Sequence, residues 1–304
     1  MEVISAARDV RSSIWFLEEK ELYASVKPYS LAFTPETEIP RENITRHEVE
    51  VLVSDIRTAK DVLTFDKNGF TIIDLREQDP DFDWTDEKLV KELHYPNVIE
   101  SVEAAFQGAR CIILRHQIRK RDPSFPKSTG KDYEFGQPLR AAHIGKSLNN
   151  LQTLSRYLIH PIDMVRSSAE QLIQECLGED ASEIFAGKYI FANVWHPLKG
   201  TNQDWPLGVC DASTVDQERD VEVADYVTTT TSREHCMVYA RETHQWWYLS
   251  DHKATEGLLF RQYQSDKGLA SGLPHAAFWN PESKQEQPRE SVEVMLVISF
   301  PKSH

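Results

Sequence analysis

Apolar residues fall into three arrangements along the chain, and each predicts different elements. Early on, Glu50–Asp55 and Gly69–Leu75 mix β-branched residues with turn-forming flanks, which predicts two strands of a small sheet. Thr85–Leu93 sets Leu89, Val90 and Leu93 at helical spacing, with Tyr95-Pro96 expected to stop the helix. A second helix is expected from Asn97 to Gln107, ended by Gly108. Cys111–Leu114 is too short and too apolar for a surface helix and reads as a buried strand. The middle of the chain turns helical: Ser147 caps a face made by Leu148, Leu151, Leu154, Tyr157 and Leu158, and Pro161 begins another helix running to Gly178. From Lys188 onward short β-type runs take over, at Tyr189–Trp195, Cys236–Tyr239, Trp246–Leu249, Leu258–Phe260 and Val292–Phe300. Turn signals at Pro197, Ser250-Asp251, Asp266-Lys267-Gly268 and Asn280-Pro281 separate them. Many short strands at that spacing predict a sandwich or barrel, and a jelly roll fits best, so the expected fold class is α+β. Residues 1–50 carry several prolines and little periodicity, which predicts an extended N-terminal arm on a single domain spanning 1–304.

Composition narrows the function classes. A chain of 304 residues can bury a large core as one domain. Its net charge of -14 and pI of about 5.3, with no dense Lys/Arg cluster, exclude a nucleic-acid partner. Cys111, Cys176, Cys210 and Cys236 lack C-x-x-C spacing, which argues against a zinc knuckle or a disulfide framework. No apolar run approaches the length of a membrane span and Met1–Ser5 does not open a leader, so a cytoplasmic protein with no membrane partner is expected. Residues 121–138 are dense in Pro, Ser, Gly and Lys and read as a loop able to close over a pocket.

The candidate chemistry lies at two distant places. His275 follows a proline, and Arg289 opens the apolar run that ends at Phe300, the arrangement expected if neighbouring strands aim a metal ligand and a carboxylate clamp into one barrel. Its upstream partner is His143. Two-histidine-one-carboxylate iron sites take a histidine and the carboxylate from an H-x-D or H-x-E triplet, because residues i and i+2 of a strand point to the same side. Here the triplet reads His143-Ile144-Gly145, without the carboxylate. Each candidate also has a purely structural reading: His143 and His275 as satisfied core histidines, Arg289 as a surface partner of Glu290 or Glu293. His244, beside Trp246, Trp247 and Tyr248, either lines a substrate pocket or packs at a core edge.

Five islands in fixed order carry a family likeness: Asn193–Gly200, Asp204–Leu207, His244–Ser250, Pro274–Phe278 and Arg289–Glu293. Together they resemble the fungal hydroxylase/desaturase family of non-haem iron, 2-oxoglutarate-type oxygenases, over roughly residues 45–300. The resemblance implies a double-stranded β-helix with flanking helices and a place in fungal secondary metabolism. It implies iron(II) on His143 and His275, and 2-oxoglutarate with its distal carboxylate on Arg289, whose planar fork suits that task. It also exposes departures: Gly145 where the family has aspartate, His196, Ser213 and Met295 where arginine is usual, and Gln264 where aspartate is usual. The missing carboxylate leaves a position for water, halide or a displaced carboxylate, for which Asp251, Asp266 and Glu256 are candidates that spacing does not separate.

Two functional classes follow. One is an iron(II)- and 2-oxoglutarate-dependent oxygenase that hydroxylates or desaturates a small natural product. The other keeps the barrel for a non-oxidative step such as cyclisation or isomerisation, with His244 and Asp251 as acid–base groups, or serves as a non-catalytic partner subunit. The expected partners are a small-molecule substrate and, as an open option, a second copy in a homodimer.

Overall fold

The computed structural model describes residues 8–127, 133–145, 163–230, 232–267, 272–284 and 287–300. Among the described residues sixteen strands run in chain order: β1 (Val10–Leu17), β2 (Tyr29–Leu31), β3 (Arg46–Asp55), β4 (Phe70–Asp74), β5 (Arg110–Lys120), β6 (His143–Ile144), β7 (Lys188–Pro197), β8 (Thr201–Asn202), β9 (Leu207–Cys210), β10 (Val221–Val227), β11 (Ser232–Val238), β12 (Trp246–Tyr248), β13 (His252–Lys253), β14 (Glu256–Gln264), β15 (His275–Ala277) and β16 (Glu290–Phe300). A nine-stranded sheet has the order β1-β3-β12-β9-β15-β6-β11-β10-β2, and a five-stranded antiparallel sheet the order β4-β14-β7-β16-β5. The two sheets face each other as the expected jelly roll requires, sharing a cluster that joins Phe70, Trp195, Leu258 and Phe260 to Leu207, Val209 and Leu249.

Alternation along the strands decides which side chains enter the barrel. On β16, Val292, Val294, Leu296 and Ile298 pack with Ala192 and Val194 of β7 against Val98 and Val102 of the helix Tyr95–Ala105. The intervening positions, Ser291 and Glu293 on β16 and Asn193 and Trp195 on β7, therefore face the opposite sheet. Burying polar residues there is unfavourable unless they meet partners or a ligand.

Three expectations need correction or restriction. Val10–Leu17, expected within an extended arm, is an edge strand paired with β3 from Val10↔Val53 to Leu17↔Arg46, and it buries Ile14, Phe16 and Leu17. The polar triplet Arg11-Ser12-Ser13 hid that strand from its sequence pattern. Tyr95-Pro96 does not stop the preceding helix either. Glu87–Leu89, a π turn over Val90–His94 and Tyr95–Ala105 follow one another without a break. Pro96 falls in the first turn after the π turn, where its missing N–H and its ring are tolerated. The helical face expected from Leu148 to Leu158 and the start expected at Pro161 lie outside the described residues, whereas Asp163–Leu177 is helical as expected.

Candidate active site

His143 and His275 stand directly opposite each other on the neighbouring strands β6 and β15. Their rings are 4.3 Å apart between centroids and tilted by 49°, and both residues are buried. His275 also meets Phe260 of the facing sheet at 4.8 Å, which places it inside the barrel. Each imidazole is held by the carbonyl two residues upstream, His143 Nδ1 by Ala141 O at 2.9 Å and His275 Nδ1 by Leu273 O at 3.4 Å. A carbonyl oxygen can only accept, so each Nδ1 carries the proton and Nε2 is the nitrogen that could take a metal.

Arg289 lines the same cavity as the two histidines. Leu139, Trp195, Leu207, Phe260, Ala276 and Ala277 supply its apolar walls, and Arg119 and Glu293 the remaining polar lining. Arg289 lies 5.4 Å over the Trp195 ring and is 3% exposed. Its main-chain N–H donates to Asp204 Oδ2 at 2.8 Å and its Nη1 to the Trp205 carbonyl, while its Nε has no hydrogen-bond partner. Burial and the neighbouring Arg119 guanidinium push its pKa down to about 9, which leaves it charged at neutral pH. A buried guanidinium with an unused donor suits a carboxylate.

Gly145 ends this short segment at φ 76°, and its N–H donates to Gln262 Oε1 at 2.7 Å. No described atom lies within 4 Å of where its Cβ would stand. Among the described residues no three His, Cys, Asp or Glu side chains gather closely enough to hold a metal ion. Among the described residues the donor set therefore fits two imidazole ligands and a carboxylate clamp, without a third protein ligand. None of the proposed displaced carboxylates lines the cavity. Glu256 takes both Arg57 Nη atoms at 2.8 and 2.7 Å, Asp266 holds Lys188 at 2.9 Å, and Asp251 is held by Arg8 and by Gln203 at 2.5 Å.

The acid–base role expected for His244 and Asp251 is not matched by their positions, since neither lines the cavity. His244 Nε2 lies 3.1 Å from Oδ2 of Asp220, whose carboxylate also binds Arg219 and Arg241, and burial lowers the His244 pKa despite that carboxylate. Asp220 itself is held down to about 2: burial opposes ionisation, but hydrogen bonds from Asp216, Arg219, Arg241 and His244 outweigh it. Asp251 joins a different surface recess with Arg8, Gln203 and Glu282. His196, one of the departures from the family pattern, lies on the helix-covered face of β7. There its Nε2 is 3.3 Å from His94 Nε2, beside Trp84.

Sequence reasoning missed Arg119 and Glu293 as cavity residues. Glu293 was within reach, because period two from Arg289 puts Ser291 and Glu293 on the same side of the strand. Arg119 was not, because its place depends on the pairing Arg119↔Ser291 between strands distant in sequence.

Comparison with known proteins agrees with this architecture. Residues 14–298 match the family described as oxidoreductase/YMDC permease-like domain. The alpha-ketoglutarate-dependent dioxygenase phiK of a fungal species is 27% identical over 92% of this chain and 94% of its own length. The alpha-ketoglutarate-dependent dioxygenase tstK of Talaromyces stipitatus is 25% identical over 84% and 86%, and the gibberellin cluster GA4 desaturase of Gibberella fujikuroi 24% over 81% and 86%. The solved structure of the iron and alpha-ketoglutarate-dependent endoperoxidase NvfI superposes with a TM-score of 0.77 at 22% identity, covering 97% of this chain and 99% of that one, which establishes the jelly-roll fold. The chain belongs to the oxidoreductase/YMDC permease-like domain family, among relatives that are fungal 2-oxoglutarate-dependent oxygenases and desaturases.

Proposed function

We propose that this protein is an iron(II)- and 2-oxoglutarate-dependent oxygenase acting on a small natural product in fungal secondary metabolism, by hydroxylation or desaturation. The observation that carries the reading is that His143, His275 and Arg289 line one cavity although they come from separate parts of the chain. Iron(II) on the two Nε2 atoms, with 2-oxoglutarate, would supply oxidation of a substrate C–H bond by dioxygen, the oxo acid being decarboxylated to succinate. The chain's own share is positional. Ala141 O and Leu273 O fix the imidazole planes, Arg289 holds the distal carboxylate, and Leu207, Phe260, Ala276 and Ala277 keep water from the reacting end.

The test is binding of iron(II) and of 2-oxoglutarate to protein carrying no histidine tag. Iron(II) is expected to bind the wild type and not His275→Ala, and Arg289→Gln is expected to weaken 2-oxoglutarate by about tenfold or more. A wild-type chain that takes up neither iron nor 2-oxoglutarate overturns the reading. The missing third ligand favours a second reading, a non-oxidative step or a non-catalytic partner role in the same barrel. Turnover that survives both a chelator and the removal of oxygen supports it. A cytoplasmic location and a homodimer accompany the proposal, and fractionation and light scattering check them.

A further inference from the structure

The oxygenase reading leaves one cation of the cavity without a task. Arg289 is sealed at the floor, whereas Arg119 reaches the same cavity from β5 and is only partly buried. The Arg119 fork holds neutral acceptors, Gln137 O at 2.9 Å and Gln117 Oε1 at 3.1 Å. Glu293 brings one carboxylate to a cavity with two guanidiniums, and it accepts from Asn193 Nδ2 at 2.5 Å. Around the cavity the surface changes character. Leu139, 43% exposed, lines the mouth, and its carbonyl accepts from Ala277 N at 2.6 Å. Trp279, 48% exposed, follows the cavity-lining Ala277 by two residues and meets Trp205, whose carbonyl holds Arg289, at a tilt of 57° and 5.7 Å between ring centroids. Exposed large apolar side chains beside a cationic cavity match a ligand that is acidic at one end and apolar along its body.

We infer that the organic substrate is a hydrophobic carboxylic acid, its carboxylate taken by Arg119 and its apolar body lying on Leu139 and Trp279. This inference rests on the oxygenase reading in assigning Arg289 to the oxo acid. Arginine fits because its fork can turn from two neutral acceptors to one charged acceptor, forming shorter and stronger bonds.

The experiment is calorimetric titration of octanoate and of its neutral analogue methyl octanoate into the full chain, with and without saturating 2-oxoglutarate. Octanoate is expected to bind about tenfold tighter than the ester with 2-oxoglutarate present, and Arg119→Gln to remove that preference while changing 2-oxoglutarate affinity by less than about threefold. Trp279→Ala, at an exposed position that spares the fold, is expected to weaken octanoate by about threefold or more and acetate hardly at all. Arg119→Gln retaining the preference for the acid overturns the inference, as does octanoate displacing 2-oxoglutarate, which means a single anion position on Arg289. If the wild type fails to bind 2-oxoglutarate, the proposed function fails. The octanoate titration run without it still decides the role of Arg119.

Discussion

An imidazole whose Nδ1–H is bonded to a main-chain carbonyl presents a single nitrogen for coordination, and both His143 and His275 are held that way. Among the described residues no anionic third ligand joins the pair, and Gly145 stands two residues after His143, where the family pattern has aspartate. Its φ of 76° is one that aspartate tolerates better than most residues, and no described atom stands within 4 Å of the added Cβ. Gly145→Asp is therefore expected to fold at a cost of about 1–2 kcal/mol and to bind iron(II) or cobalt(II) more tightly than the wild type. Visible absorption of the cobalt form measures this, and unchanged affinity means that the two histidines are not a metal site. Arg289→Lys makes a second test. Lysine keeps the charge but loses the fork, so 2-oxoglutarate is expected to bind it about tenfold or more weakly than the wild type.

Between residues and molecule, strand contacts set the geometry. β6 has two residues, and its position depends on how closely the segment before β15 passes β14. Gly272 marks that approach: a Cβ there would fall 2.2 Å from Gln262 O and 2.5 Å from Ile144 Cγ2. Gly272→Ala is expected to destabilise the fold by about 1–3 kcal/mol and to weaken metal binding, because relief moves β6 or β15 and with them the two imidazoles. Urea midpoints and cobalt titration report the two effects separately. Much at this scale was legible in advance. Strands Lys188–Pro197, Glu256–Gln264 and Glu290–Phe300 contain runs read from the sequence and Phe70–Asp74 lies within one, since β-branched and aromatic residues between turn signals leave little alternative. β1 was hidden because an edge strand with one solvated face carries polar residues, and the helix through Pro96 because a π turn leaves no local signature. Within the site, the histidines and Arg289 were readable as motifs. The cavity role of Glu293 follows from period two after Arg289, whereas that of Arg119 came from cross-strand register, which no single segment encodes. His244 and Asp251 were misplaced because nearness to an aromatic strand does not say which face a side chain takes.

Over the whole molecule, buried histidines couple stability to pH. Burial pushes His94 down to about 2 and His196, His235 and His252 to about 4, so all four are neutral in the folded chain. In the unfolded chain each takes up a proton near about 6.5. With the folded values depressed, their contribution is full above about pH 6.5 and is lost progressively as pH falls toward 4, because there the unfolded state binds more protons. The urea midpoint is expected to drop steeply between pH 7 and 5, on the order of a kcal/mol per pH unit for each histidine. Glu222 and Glu234, which burial pushes up, act in the opposite sense at lower pH. A midpoint that stays level from pH 7 to 5 contradicts the neutral assignment.

The adjacency of β6 and β15 also governs when the site can come into being. His143 leaves the ribosome long before His275, with nearly half the chain still to be translated, so a nascent polypeptide offers a single imidazole at this position. The pair of imidazoles assembles only when the C-terminal strands close the barrel, a slow step for non-local β pairing. On the proposed reading, uptake of the ion would report finished synthesis, because a chain terminated before β15 lacks the second imidazole.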